Sequence, residues 1–236
     1  MATPAAVSGR RPAARAATRV GAFWQSTIGK KIVMAVTGVI MVAWVVLHML
    51  GNLQIFAGPA RLNGYSAFLH HSIGELLWLM RAILFVSVVL HIIAAAQLTR
   101  IDHDARPVKY ARKTPQAATV ASRSMRWGGV ALFLFIVFHI LHITTGTIRP
   151  APFVEGDVYG NLVGNFRIWW VTLIYVAAMI ALGLHMYHGV WSSVRTLGLN
   201  RPSPNPLKRR VATGLAILLW GGFSLVPIAI LLGWVR

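Results

Sequence analysis

Cysteine is absent from all 236 residues. That excludes disulfides, thiolate metal sites and an iron–sulfur cluster held by this chain. Acid is scarce: five Asp and Glu stand against 23 Lys and Arg. Charged residues make up only 12% of the chain, against roughly twice that in a soluble domain. A carboxylate-bridged di-iron centre is starved of ligands by the same shortage. What is abundant is apolar, at 56%. The surplus positive charge sits between long apolar runs, so membrane topology explains it better than nucleic-acid binding does.

Five runs are long enough to cross a hydrocarbon core of about 30 Å as helices. They cover about 32–53, 76–98, 127–146, 168–194 and 211–234. Tryptophans at or near their ends (Trp24, Trp78, Trp127, Trp169, Trp170, Trp234) suit an interfacial belt. The expectation is an all-α integral membrane protein with a basic N-terminal arm over 1–31 and a five-helix membrane domain over 32–236. No strong internal repeat and no second soluble domain is visible.

Lys and Arg set the orientation. The arm carries Arg10, Arg11, Arg15, Arg19, Lys30 and Lys31. The connection after the second run carries Arg100, Arg106, Lys109, Arg112, Lys113, Arg123 and Arg126. The one after the fourth carries Arg195, Arg201, Lys208, Arg209 and Arg210. The other two connections hold only Arg61, Arg149 and Arg167. This asymmetry predicts a cytoplasmic N-terminus and an outside C-terminus, as five crossings require. A transit peptide is the other reading of the arm.

Four of the runs carry a histidine toward their C-terminal end: His48, His91, His139 and His185. A titratable ring at membrane depth is costly and reads as a functional site. Chain direction reverses at each crossing, so these four fall into two layers. At about 1.5 Å per residue, His48 and His139 lie roughly 24 and 18 Å from the inner face. His91 and His185 lie roughly 8 and 5 Å from it. The layers are on the order of 14 Å apart. Two imidazoles facing across a helix bundle form the ligand set of a six-coordinate heme iron, so the pattern predicts a diheme bundle. A single buried histidine often only bonds a carbonyl or serine; the matched layers favour ligation.

Other residues compete for roles. His142 and His188 follow His139 and His185 by three residues, on the same helical faces. Such pairs also bind zinc or iron in membrane hydroxylases, where they gather on one side of the membrane; here they point to opposite layers. Spacing does not decide which member of each pair binds iron, and the other would be free to bond a propionate or quinone. Arg81 could neutralise a propionate, contact a quinone or merely snorkel to the interface. Glu75 is placed to take quinol protons or simply be solvated. Asn52, Gln54, Asn63 and Tyr65 could donate to propionates or a quinone carbonyl, with helix capping the ordinary role of Asn52. Ser26, Lys30 and Lys31 could line a headgroup pocket or contact lipid phosphate. His70 and His71 belong to the outer connection, solvated or bordering a quinone site. His103 belongs to the basic inner loop.

The segments Ser26-Thr27-Ile28-Gly29-Lys30-Lys31, Thr37-Gly38 and Leu47-His48-Met49-Leu50-Gly51-Asn52-Leu53 resemble the opening of the cytochrome b membrane subunit of bacterial succinate dehydrogenases, in the family with five helices and two hemes in one anchor chain. The residues at 91–99 resemble the end of that family's second helix. Phe138-His139 resembles its third, and Leu184-His185-Met186-Tyr187-His188-Gly189-Val190-Trp191-Ser192-Ser193 with 196–199 its fourth. The likeness covers about 24–200 and is specific as a set.

The resemblance implies a subunit of succinate:quinone oxidoreductase in the bacterial plasma (inner) membrane, serving the respiratory chain and the tricarboxylic acid cycle. It implies two heme b, with His48 and His139 on the distal heme and His91 and His185 on the proximal one. It favours His185 over His188. It also implies a quinone, expected to be menaquinone, and two partners: a flavoprotein carrying FAD and an iron–sulfur protein. Succinate is oxidised on the flavoprotein, so no catalytic residue for that step is expected here, and no nucleic acid is expected as a partner. One departure stands out. Fumarate reductases of this architecture carry a glutamate two residues before the fourth-helix ligand, and here that position is Gly183. The alternatives are a diheme anchor of another quinone-linked oxidoreductase, a heme-free histidine-relay transporter, and a membrane metal hydroxylase.

Overall fold

The computed structural model describes residues 19–105, 119–199 and 206–236. Arg10, Arg11 and Arg15 of the arm, Arg106, Lys109, Arg112 and Lys113 of the first basic connection, and Arg201 of the second lie outside the described residues. Among the described residues the chain is helical and has no strand. Among the described residues, five helices are long and apolar enough to span a membrane. They are α2 (Thr27–Asn52), α4 (Gly74–Asp104), α5 (Val120–His139), α7 (Trp169–Thr196) and α8 (Pro206–Leu231). Three short helices accompany them: α1 (Arg19–Gln25), α3 (Pro59–Ala67) and α6 (Val158–Phe166). The chain is therefore a multi-pass membrane protein. Its outward faces carry the expected apolar side chains, with Trp78, Trp127, Trp169 and Trp234 exposed.

The first spanning helix begins more than a turn before the apolar run, inside the segment expected as arm. Ser26 makes this possible by capping α2: its hydroxyl accepts from Gly29 N at 2.8 Å and donates to Phe23 O. Lys30 is buried, and its Nζ donates to Trp24 O and Gln25 O at 2.7 and 2.9 Å. Those are the free terminal carbonyls of α1, whose partial negative charge favours an ammonium. The lysine is thus helix-competent despite its charge. Ser26 and Lys30, expected as headgroup or quinone contacts, are committed to this α1–α2 corner.

α2 packs on α4, α7 and α8, and α7 packs on α5 and α8. α2, α4, α5 and α7 form a four-helix arrangement in which α2 lies diagonal to α5 and α4 diagonal to α7. α8 closes one side: Gly222 brings it so near α2 that an added Cβ would run into the Met49 side chain. In lipid such close backbone approach, rather than hydrophobic expulsion, holds helices together.

The end of the bundle where α2 finishes (the upper end here) is closed by α3 and α6. Gly58, at φ 93°, turns the chain into Pro59 at the start of α3. Asp157 caps α6 by accepting from Gly160 N at 3.0 Å. Asn63 joins the two helices with both ends of its amide, donating to Asp157 Oδ1 and accepting from Tyr159 N, each at 2.9 Å. Beneath this clamp lies the larger buried cluster, including Ile55, Leu62, Phe166, Val171, Tyr175 and Ile230. Asn63 therefore holds the fold here instead of facing a quinone. Gly51 lets Tyr65 lie against α2, its ring 2.9 Å from where a Cβ would stand.

Candidate functional site

The four mid-span histidines meet as two pairs, each across a diagonal of the four-helix arrangement. His48 of α2 faces His139 of α5 with ring centroids 5.8 Å apart. His91 of α4 faces His185 of α7 at 6.3 Å. These are the pairings the depth argument predicts.

Cross-helix contacts measure the layer separation directly. His91 Nδ1 lies 3.2 Å from Thr37 Oγ1, so the lower pair sits level with Thr37. His48 follows Thr37 on the same helix by roughly 16 Å of rise. On α7, Tyr175 bonds His139 of the upper pair, and His185 follows it by roughly 15 Å. Both helices give a spacing close to the sequence estimate.

The pair distances have a chemical meaning. A metal–imidazole bond is about 2 Å and the ring centroid lies about 1.1 Å further back, so two rings on opposite sides of one metal have centroids about 6.2 Å apart. The observed separations match one metal between each pair. The donor set also fits. His91 gives Nδ1 to Thr37, whose hydroxyl donates on to Val33 O at 2.7 Å. Its Nε2 is left for a ligand bond. His185 Nδ1 is buried with no hydrogen-bond partner among the described residues. An unpartnered buried ring nitrogen is costly in an apolar interior unless a ligand takes its lone pair. His48 and His139 are flanked by Phe223 and Phe135, which give the upper pair apolar walls.

His142 departs from the sequence picture. A π-turn over Ile140–Thr144 follows α5, with Thr145 N bonded back to Ile140 O at 2.9 Å. The ring of His142 is only 1% exposed. Its Nδ1 lies 2.9 Å from Tyr175 Oη and its Nε2 2.8 Å from Asn165 Oδ1. Both nitrogens are spoken for within the protein, leaving neither for a propionate or quinone. Tyr175 and Asn165 went unnoticed in the sequence. A phenol and a carboxamide in or beside an apolar run were the available signal, since each must find a polar partner there. His188 is half-buried on α7.

The remaining upper-end residues scatter. Arg81 approaches His70 Nε2 at 3.4 Å and lies over the Trp78 ring. Glu75 and His71 are exposed, Asn52 and Gln54 half-buried. At the other end, Arg126 approaches both His103 and Asp102, an exposed polar contact between α4 and α5. A groove of about 560 Å³ runs along α2 and α4, lined by Phe23, Val36, Thr37, Ile83 and Ser87 among others.

Outside the membrane-spanning segments, Asp157 of the α3–α6 clamp is a perturbed acid. The Gly160 backbone N–H and the Asn63 amide hold its carboxyl below the usual range. Compared with family models, curated proteins and solved structures, the chain finds no match.

Proposed function

We propose that this chain is the membrane-anchor and electron-transfer subunit of a succinate:quinone oxidoreductase. In this reading it serves a respiratory chain from the bacterial plasma membrane, between an iron–sulfur partner and a quinone. The observation that carries the reading is the pair of imidazole pairs at metal-bridging separation, stacked about 15 Å apart along two different helices. His48 and His139 hold one b-type heme and His91 and His185 the other. When bound, the two hemes supply one-electron carriers at two depths. The residues of this chain fix the ring orientations, exclude water with apolar walls, and anchor the soluble partners at the cytoplasmic face. The specific choice of succinate rests on the family resemblance alone. We assign the quinone to the lipid-facing side of the bundle, where the α2–α4 groove beside Thr37 offers an apolar recess of sufficient size.

A histidine-relay transporter is less favoured for a chemical reason. The hydrogen-bonded chain through His139, Tyr175 and His142 ends on the carboxamide of Asn165, and an amide does not pass a proton onward.

The deciding experiment purifies the full chain with its companions in mild detergent. The expected result is two b-type hemes per chain by absorbance, with a flavoprotein and an iron–sulfur protein copurifying. A chain without porphyrin would end the heme reading. Two hemes with different soluble partners would retain the cytochrome and replace the substrate.

A further inference from the structure

His139 does not stand alone at the upper pair. Its Nδ1 lies 3.2 Å from Tyr175 Oη, which lies 2.9 Å from His142 Nδ1, and His142 Nε2 lies 2.8 Å from Asn165 Oδ1. The direction of every hydrogen in this chain can be worked out from its far end. Asn161 is locked by two backbone bonds, donating to Val154 O at 2.7 Å and accepting from Val154 N at 2.8 Å. Asn165 Nδ2 donates to Asn161 O at 2.8 Å, so the Asn165 oxygen is the atom turned toward His142. A carboxamide oxygen only accepts, so His142 carries its hydrogen on Nε2. A neutral imidazole then has Nδ1 as its acceptor, and the Tyr175 hydroxyl must donate there. The Tyr175 oxygen is left to accept from His139 Nδ1–H. The proton of His139 is thereby held on Nδ1, and the Nε2 lone pair is presented to the bundle interior.

We infer that Tyr175, backed by His142 and Asn165, is a positioning residue that sets the tautomer and raises the ligand strength of His139. The inference rests on the diheme reading above. A ligating histidine that donates its other ring N–H becomes a stronger donor to the metal, which favours the oxidised state. The lower pair has a separate and shorter support, His91 through Thr37 to Val33 O. Each heme would then be tuned by its own hydroxyl, a phenol above and a threonine below. The aromatic packing of Tyr175 on Phe135 and Phe166 would survive loss of its hydroxyl, so the two contributions separate.

The test is a redox titration of the purified full chain, with low-temperature electron paramagnetic resonance of its oxidised hemes, for the wild type, Tyr175→Phe and Thr37→Val. Tyr175→Phe should keep two hemes and raise one midpoint by about a tenfold change in the reduction equilibrium, about 59 mV for one electron. The resonance of that heme should shift while the other is unmoved. Thr37→Val should move the opposite member of the pair. Asn165→Leu removes the acceptor that fixes His142 without touching Tyr175 or His139, and should raise the same midpoint as Tyr175→Phe by a smaller amount. It serves as the second reading if Tyr175→Phe does not fold. Two hemes with both midpoints and both resonances unchanged in Tyr175→Phe, or in Asn165→Leu if that variant must stand in, would overturn the inference and leave the diheme reading intact. A wild-type chain without heme would overturn both.

Discussion

Replacing the four paired histidines singly and in combination should give a pattern that only two diagonal pairs can produce. In the proposed reading one metal spans each pair, whose ring centroids stand 5.8 and 6.3 Å apart, so removing either ring should disable the whole site. The two layers lie roughly 15 Å apart, beyond the distance of about 7–10 Å over which substitutions usually couple. His91→Ala and His185→Ala should therefore each reduce heme from two per chain to one, and the double variant should lose no more than either alone. His48→Ala and His139→Ala should behave likewise for the other heme. His91→Ala combined with His139→Ala should leave none. The assay is the pyridine hemochrome ratio of heme to polypeptide on the purified protein, with the spectrum of the surviving heme compared to the wild type. Dye-linked succinate oxidation in the isolated complex should persist in every variant if, as proposed, that step lies on a partner subunit. If His91→Ala and His185→Ala each retained two hemes, or if the double variant within one layer lost both, the pairing argument would be refuted.

Two further predictions concern the fold that carries the site. Asp157 has a depressed carboxyl, so its contribution to the α3–α6 cap is complete above its unfolded value of 3.8 and lost as pH falls through the lower folded value. Amide exchange at Gly160 and Tyr159 should therefore quicken selectively below about pH 4, corrected for intrinsic rates; a flat profile there would remove Asp157 from the clamp. Gly51→Ala puts a Cβ 2.9 Å from the rigid Tyr65 ring and should cost about 1–3 kcal/mol. Gly222→Ala meets the flexible side chain of Met49 and should cost less, although the approach is closer. Thermal midpoints in one detergent rank the two, and the reverse order would contradict the packing argument.

The spanning helices were legible because a bilayer demands about twenty apolar residues in a row, a signal that survives without any knowledge of contacts. Their ends were less legible. The start of α2 depends on Lys30 finding the carbonyls of α1, and the end of α4 runs on to Asp104 through polar residues that hydropathy excludes. The two histidine layers could be read because helical rise converts position into depth. The role of His142 could not. A π-turn changes the angular bookkeeping after His139, and the partner side chains come from α6 and α7, far along the chain. α3 and α6, at nine residues each, are too short to read as spans, and their pairing through Asn63 joins positions far apart in the chain.

The cap of α3 and α6 gives the molecule a stopper at one end. Its packed side chains reach down to Tyr175, one hydroxyl away from the upper histidine pair. In the proposed reading this plug stands between that pair and the water at the upper end of the bundle. In that reading a visitor to the upper layer, where His48 is exposed, comes sideways through the acyl chains, which selects for greasy, flat molecules over ions and sugars before any specific contact is made.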